Sequence, residues 1–342
     1  MTMRAFITGV SGLSLSTAER EFIRDSRPWG FILFKRNVQS PAQVTALVHE
    51  LRDAAGRVDA PILIDQEGGR VQRLGPPHWP VYPPGAIFSR LYDIDSAHGL
   101  RAAWLSARLI ADDLGQLGIT VDCLPLADVP VADADAVIGD RAYGETPDKV
   151  AAIARAVTDG LAQGGILPVL KHIPGHGRAT ADTHFRLPTV DTPESELDAT
   201  DFAAFRPLSD LPMAMTAHVV FSAIDPAHPA TTSATMIERV IRGRIGFQGL
   251  LMSDDVSMNA LAGSIAERTR AIIAAGCDVV LHCNGTLDEM QAVVAETPEL
   301  SGIALARADR ALAARKPAVA LDRAAARAEL DALINRLGPA NA

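Results

Sequence analysis

Residues 171–185 read KHIPGHGRATADTHF: three histidines, a lysine, an arginine and an aspartate, spaced by two glycines and a proline. Glycine and proline at this density disfavour both helix and strand, so the stretch reads as a loop dense in polar chemistry. One chemistry is metal ligation, with His172, His176 and His184 as nitrogen donors and Asp182 as an oxygen donor. The spacing argues against it: there is no HExxH, no cysteine is near, and a loop does not set His172 and His176 on one helix face. No metal and no cofactor are expected.

Other polar residues gather at the ends of apolar runs. IDQEGGRVQR supplies Asp65, Glu67, Arg70 and Arg73; IGDRAYG supplies Asp140 and Arg141; ILPVLKH ends in Lys171 and His172. TAH ends in His218, MSDD in Asp254 and Asp255, and LHCN holds His282. Each has a plainer reading. Asp65 could cap a turn, Arg73 could pair with Glu67, and Arg141 with Asp140 or Asp122. Asp254 and Asp255 could cap a helix beginning near Asn259, although two acids exceed what one cap needs. His218 and His282 read as supporting groups rather than reacting ones. Trp29, Trp79 and Trp104 form no stripe that would stack on a sugar or a base.

The runs that carry these endings are RAFITG, WGFILF, APILIDQ, GITVDCLPLA, ILPVLKH, MAMTAHVVF, GLLMSDD and CDVVLHCN. Each is short, rich in Ile, Leu and Val, and lacks clean alternation, as a strand buried on both faces should be. Longer amphipathic patterns lie between them. SPAQVTALVHELRDAAG opens on Ser40 and Pro41 and closes on Gly56, and TPDKVAAIARAVTDGLAQGG opens on Thr146 and Pro147. Eight strand–helix repeats predict a (β/α)8 barrel, an α/β fold whose reacting groups sit at the C-terminal ends of its strands. Six of the eight runs end in the polar residues above. The predicted organisation is one catalytic domain over residues 1–342, with residues 302–338 as C-terminal packing helices around Pro317. A doubly wound open sheet is the alternative, weakened because no strand is followed by GxGxxG.

Composition narrows the partners. A hydrophobic fraction of 48% supports a large core, and a formal charge of −9 argues against a nucleic-acid or membrane-surface binder. Cys123, Cys277 and Cys283 are odd in number and form no CxxC pair, which suits buried thiols in a reducing compartment. The N-terminal MTMRAFITGVSG reads as strand and loop rather than a signal peptide, and no run approaches membrane-spanning length. The expected setting is the cytoplasm and the expected state a monomer.

Taken together, KHIPGHG with ADTH, IDQEGGRVQR, GDRAYG and MSDDVSM resemble glycoside hydrolase family 3. Within the family they resemble more closely its short, single-domain β-N-acetylglucosaminidases of bacterial peptidoglycan recycling. The likeness spans residues 31–284, with the motifs in the family's order. The resemblance implies that Asp254, in the (S/T)DxxxM pattern, is the nucleophile and that Asp182 with His184 is the acid/base dyad. It also implies that Asp65, Arg73, Arg141, Lys171 and His172 bind the sugar. Three positions depart from the usual motifs: Ile173 replaces Phe, Arg178 stands where an acid is common, and Thr183 replaces the dyad's middle Ser. The implied activity is retaining, exo-acting removal of terminal GlcNAc from muropeptides such as GlcNAc-1,6-anhydroMurNAc and its peptides. Because imidazole does not repel an anionic acceptor, a phosphorylase is an alternative, as is a β-glucosidase on the same barrel. A non-catalytic sugar-binding barrel and a metal-dependent hydrolase are the readings from other classes.

Overall fold

The structure is a computed structural model that describes residues 2–132, 134–179, 183 and 186–338. The eight apolar runs become the eight strands of a closed parallel barrel. They are β1 (Arg4–Thr8), β2 (Pro28–Leu33), β3 (Ile62–Ile64), β4 (Val121–Asp122), β5 (Leu167–Ile173), β6 (Met213–Thr216), β7 (Leu250–Asp255) and β8 (Val279–His282). Their order round the barrel is their order in the chain, and β8 closes on β1 with Phe6 opposite Val280 and Thr8 opposite His282. This is the (β/α)8 fold expected from the alternation of runs.

Two strands are shorter than their apolar runs. β4 stops at Asp122 ahead of Pro125, which has no N–H to give the ladder; the Leu124 carbonyl still accepts the Val169 N–H at 2.8 Å, and an isolated bridge pairs Leu126 with Lys171. The run MAMTAHVVF divides into β6 and a second piece, Val220–Phe221, which leaves the barrel to pair with Thr189–Val190.

Successive strand residues point to opposite faces. Ile7, Ile32, Leu63, Val121, Met213 and Met252 belong to one buried cluster that fills the barrel. Phe6, Phe31, Ile62, Ile64, Ala214 and Leu251 belong to the larger cluster shared with the surrounding helices.

The helices begin and end on local chemistry. Ser40 accepts the Gln43 N–H ahead of the helix Pro41–Ala55, which stops at Gly56 with φ +63°. The helix after β7 departs from the sequence reading. It runs over Ile265–Ala275 and starts at a capping box of Ser264 and Glu267, not near Asn259, so neither Asp254 nor Asp255 caps it. Helices Gly302–Ala313 and Arg323–Ile334 lie on either side of Pro317.

One small feature shapes the barrel mouth. Beyond β3 the chain folds into an antiparallel ribbon of Gln66–Gly68 against Val71–Gln72. The turn needs Gly68, whose φ is +95° and whose missing Cβ would lie 2.3 Å from the Pro83 carbonyl oxygen. Gly68→Ala should therefore destabilise the protein by roughly 2 kcal/mol or more. Chemical denaturation would measure this, and a cost below about 0.5 kcal/mol would show that the ribbon has room to move.

Candidate active site

At the C-terminal mouth of the barrel lies a cavity of about 290 Å³, lined among others by Asp65, Lys171, His172, His176, Asp254 and Phe34. Every described residue in the candidate set lines this cavity: Asp65, Arg73, Arg141, Lys171, His172 and Asp254. Asp182 and His184 lie outside the described residues.

The wall is an ionic cluster built from three strand ends. Lys171, buried in β5, places Nζ 3.0 Å from Asp65 and 2.6 Å from Glu67. Arg73 reaches the other Asp65 oxygen at 3.1 Å, and Arg141 grips Glu67 through two bonds of 2.8 Å. The partners differ from those the sequence suggested. Arg73 pairs with Asp65 rather than Glu67, and Arg141 pairs with Glu67 rather than Asp140 or Asp122. Asp140 instead meets Arg70 at 3.0 Å, while Arg70 also donates to the Val137 carbonyl and so ties the loop after β4 to the ribbon.

Burial alone would raise the carboxyls. Lys171 and Arg73 nonetheless hold Asp65 below the ordinary carboxylate range, and Arg141 with Lys171 holds Glu67 down at about 2. Burial likewise opposes the charge on Lys171, and Glu67 and Asp65 outweigh it and raise the ammonium. The five groups sum to one positive charge, with every cation already facing a carboxylate. Among the described residues, Asp122 receives only the Gln66 N–H, at 3.0 Å, and burial pushes its carboxyl well above the usual range.

A second cluster holds the histidines. Asp128, fully buried, lies 2.8 Å from His172 Nδ1 and accepts the His176 backbone N–H at 2.7 Å. Burial raises the Asp128 carboxyl, but His172 and these hydrogen bonds bring it to about 2. An ionised carboxylate only accepts, so Nδ1 of His172 carries a proton and the ring is fixed in place. His176 is held down to about 4, by burial first and by neighbouring His172 second, so its ring is neutral near pH 7. The residue pattern singles out no role for Asp128, and it places Glu67 among the polar strand endings and as a partner for Arg73, not as the anchor of Lys171 and Arg141. The available signals were an acid within the apolar LPLADVP and an acid directly after Asp65 and Gln66.

The two acids of MSDD separate clearly. Asp255 accepts the Ser257 N–H at 3.1 Å, the Ser257 hydroxyl at 2.6 Å and the Cys283 N–H at 3.1 Å. It is committed to holding the turn after β7 against the end of β8. Asp254, among the described residues, accepts only the Asp255 N–H, at 2.8 Å. Burial would raise its carboxyl, but His218, His172 and that N–H hold it below the usual range, leaving an ionised oxygen facing the cavity. His218 supports from behind: its Nε2 lies 2.9 Å from the Asp255 carbonyl, which can only accept, so Nε2 bears the proton. His282 is buried with Nε2 3.0 Å from Glu289.

The loop that follows Lys171 and His172 is fastened at its near end. Arg178, one of the three departures, binds Asp201 at 2.7 Å and Glu196 at 3.0 Å. Ile173 is buried, and Thr183 lines the cavity. Among the described residues no three His, Cys, Asp or Glu come together as a metal site, and the metal reading also needs Asp182 and His184, outside those residues.

Converging donors and acceptors at fixed positions, carboxylates facing the cavity and a closed barrel around them have the arrangement of an enzyme of the (β/α)8 class. Residues 5–313 match the glycosyl hydrolase family 3 N-terminal domain. A β-hexosaminidase of Alkalilimnicola ehrlichii is 39% identical over 291 residues, which are 83% of this chain and 82% of that protein. A β-hexosaminidase of Methylococcus capsulatus is 39% identical over 277 residues, 80% of each chain. NagZ from Neisseria gonorrhoeae, crystallised with N-trifluoroacetyl-D-glucosamine, superposes with a TM-score of 0.88 at 30% identity and covers 98% of this chain and 99% of its own. The chain belongs to glycosyl hydrolase family 3 and is a glycoside hydrolase.

The ionic wall has a signature in acid. Glu67 is held at about 2 against an ordinary 4.5, so it binds its proton more weakly folded than unfolded. The stability it contributes is complete above about pH 4.5 and is lost as the pH falls towards 2. Glu67→Gln should lower the melting temperature at pH 7, where Lys171 and Arg141 lose their shared anion. It should also flatten the decline between about pH 5 and pH 2. Melting followed by circular dichroism checks both, and an unchanged acid limb would mean that Glu67 is not paired in solution.

Proposed function

We propose that this β-N-acetylhexosaminidase is a retaining exo-enzyme that removes terminal GlcNAc through a covalent glycosyl-enzyme on Asp254. The observation that carries the reading is the division of labour between the adjacent acids. Both acids line the cavity, but Asp255 is saturated by the turn it holds, whereas Asp254, among the described residues, accepts a single hydrogen bond at a rigid strand end, beside groups suited to bind hydroxyls. A nucleophile must be placed within a few tenths of an ångström, and a strand end does this better than a loop. Asp65, Arg73, Arg141, Lys171 and His172 take the sugar's hydroxyls and neighbouring groups, with Glu67 setting the positions of Lys171 and Arg141.

In the first step Asp254 attacks the anomeric carbon as His184 gives a proton to the leaving oxygen. In the second step the same imidazole takes a proton from water. Asp182 orients the ring and stabilises its charged form. These two roles rest on the motif ADTH. The substrates proposed are muropeptides that carry GlcNAc on 1,6-anhydroMurNAc, with the whole chain as one catalytic domain acting as a monomer. No helix among the described residues is long and apolar enough to cross a membrane. The buried free thiols of Cys123, Cys277 and Cys283 suit a reducing compartment, and the cytoplasm is the proposed location.

Among p-nitrophenyl glycosides, the GlcNAc compound should be cleaved far faster than the glucose compound, and added phosphate should not divert the product to a sugar phosphate. Asp254→Ala should abolish turnover, while Asp255→Asn should retain substantially more activity at a lower melting temperature. A 5-fluoro glycosyl donor should label the peptide that contains Asp254. A label on Asp255 or Glu67 in peptide mass spectrometry would refute the assignment.

The importance of His184 should depend on the leaving group. A sugar alkoxide needs a proton in the transition state and a dinitrophenolate hardly does. His184→Ala should therefore slow glycosyl-enzyme formation from a disaccharide by about 10²–10⁴-fold more than from a dinitrophenyl glycoside. The latter should show a burst, because the second step lacks its base. Asp182→Asn should give a milder version. Equal losses on both substrates in pre-steady-state kinetics would make His184 a binding residue only.

A further inference from the structure

The family match ends at residue 313, yet the helix Arg323–Ile334 beyond it is joined to the active-site ribbon by a continuous polar path. Arg323 pairs with Asp113 and, at 2.6 Å, with Asp112, both on the helix Ser96–Gln116. Arg101 of that helix binds Glu329 through two bonds of 2.7 Å, which docks the two helices side by side. The second oxygen of Asp113 accepts the Tyr82 hydroxyl at 2.6 Å. Tyr82 is 1% exposed and Asp113 5%, so the link is shielded from water. From Tyr82 the path enters the ribbon by the main chain. The Tyr82 carbonyl accepts the Gly69 N–H at 2.9 Å, and the Tyr82 N–H donates to the Gln72 side chain at 3.0 Å. Gly69 and Gln72 flank Arg70 and Val71. Glu67, the anchor of Lys171 and Arg141, is two residues away from Gly69.

We infer that the C-terminal helix is a strut that sets the position of this ribbon through Arg323, Asp113 and Tyr82, making all three positioning residues for sugar binding. The Asp113 carboxylate is the joint. Without Arg323 it is a buried anion held by one hydroxyl, and it moves or draws in water, with Tyr82 following. Without the Tyr82 hydroxyl the helices stay docked and the ribbon alone is released. Because the groups that follow the ribbon hold the sugar rather than attack it, the loss is in binding that ground and transition states share. That loss appears in KM and not in kcat.

The inference rests on the assignment of the Glu67–Lys171–Arg141 wall to sugar binding, and two measurements keep them apart. In full-length Tyr82→Phe and Arg323→Gln, deuterium uptake over residues 66–74 should rise while uptake in the barrel strands stays as in the wild type. KM for p-nitrophenyl N-acetylglucosaminide should rise about tenfold, as for the loss of one charged hydrogen bond, with kcat changed by less than about threefold. Arg323→Lys, which keeps the charge, should recover part of both effects. Unchanged uptake over 66–74 overturns the strut, as does a rise shared equally by the barrel strands, which would mark general destabilisation. Raised local uptake with an unchanged KM overturns the positioning role. If the wild type fails to cleave the N-acetylglucosaminide while local uptake still rises in the variants, the substrate assignment falls and the strut stands.

Discussion

A lysine without water must be surrounded by negative charge, and most of this active site follows from Lys171. Its ammonium sits in β5 between Asp65 at 3.0 Å and Glu67 at 2.6 Å. Those carboxylates in turn need more positive charge than one lysine supplies, and Arg73 and Arg141 bring it from two other segments. A buried pair of this kind adds little net stability, because desolvation offsets most of the attraction, but a missing member leaves an uncompensated charge at a cost of about 3–5 kcal/mol. The arrangement is therefore all-or-none. It fixes the relative positions of the ends of β3 and β5, the ribbon and the loop after β4, which together form one side of the barrel mouth.

Asp254 depends on the same field from the other side of the cavity. Its carboxylate stays ionised in a poorly hydrated position because His218 and His172 stand near it, and His172 is oriented by Asp128. The ring of His218 is set in turn by the Asp255 carbonyl and Thr231. Asp255 thus serves the site twice, through its backbone carbonyl and through a side chain whose two oxygens both already accept hydrogen bonds.

The barrel was legible because its strands are buried on both faces and read as separate apolar runs, each followed by a helix with recognisable caps at Ser40 and Gly56. The set of polar strand endings was legible too, since C-terminal strand ends converge in this fold. Who pairs with whom was not. Arg73 finds Asp65 and Arg141 finds Glu67 because strand stagger and the ribbon turn decide reach, and neither is written in local spacing. Asp128 was hidden in an apolar stretch. The Tyr82–Asp113–Arg323 path joins residues 31 and 210 positions apart, beyond any periodic signal. The helix start moved from Asn259 to Ser264 because the capping box there outcompetes an uncapped start.

The barrel's filling gives the cavity two materials. Met213, Met215 and Met252, with Cys123 and Cys283, belong to the cluster inside the barrel, and Met215 and Cys283 reach the cavity itself. Thioether chains are unbranched and polarizable and rearrange at little cost. The walls, by contrast, are charged groups locked to one another. Such a pocket discriminates sharply where a ligand presents hydroxyls to the walls. Apolar surface laid against Met215 can be met by small shifts of its unbranched chain, whereas the ion-paired walls admit little adjustment.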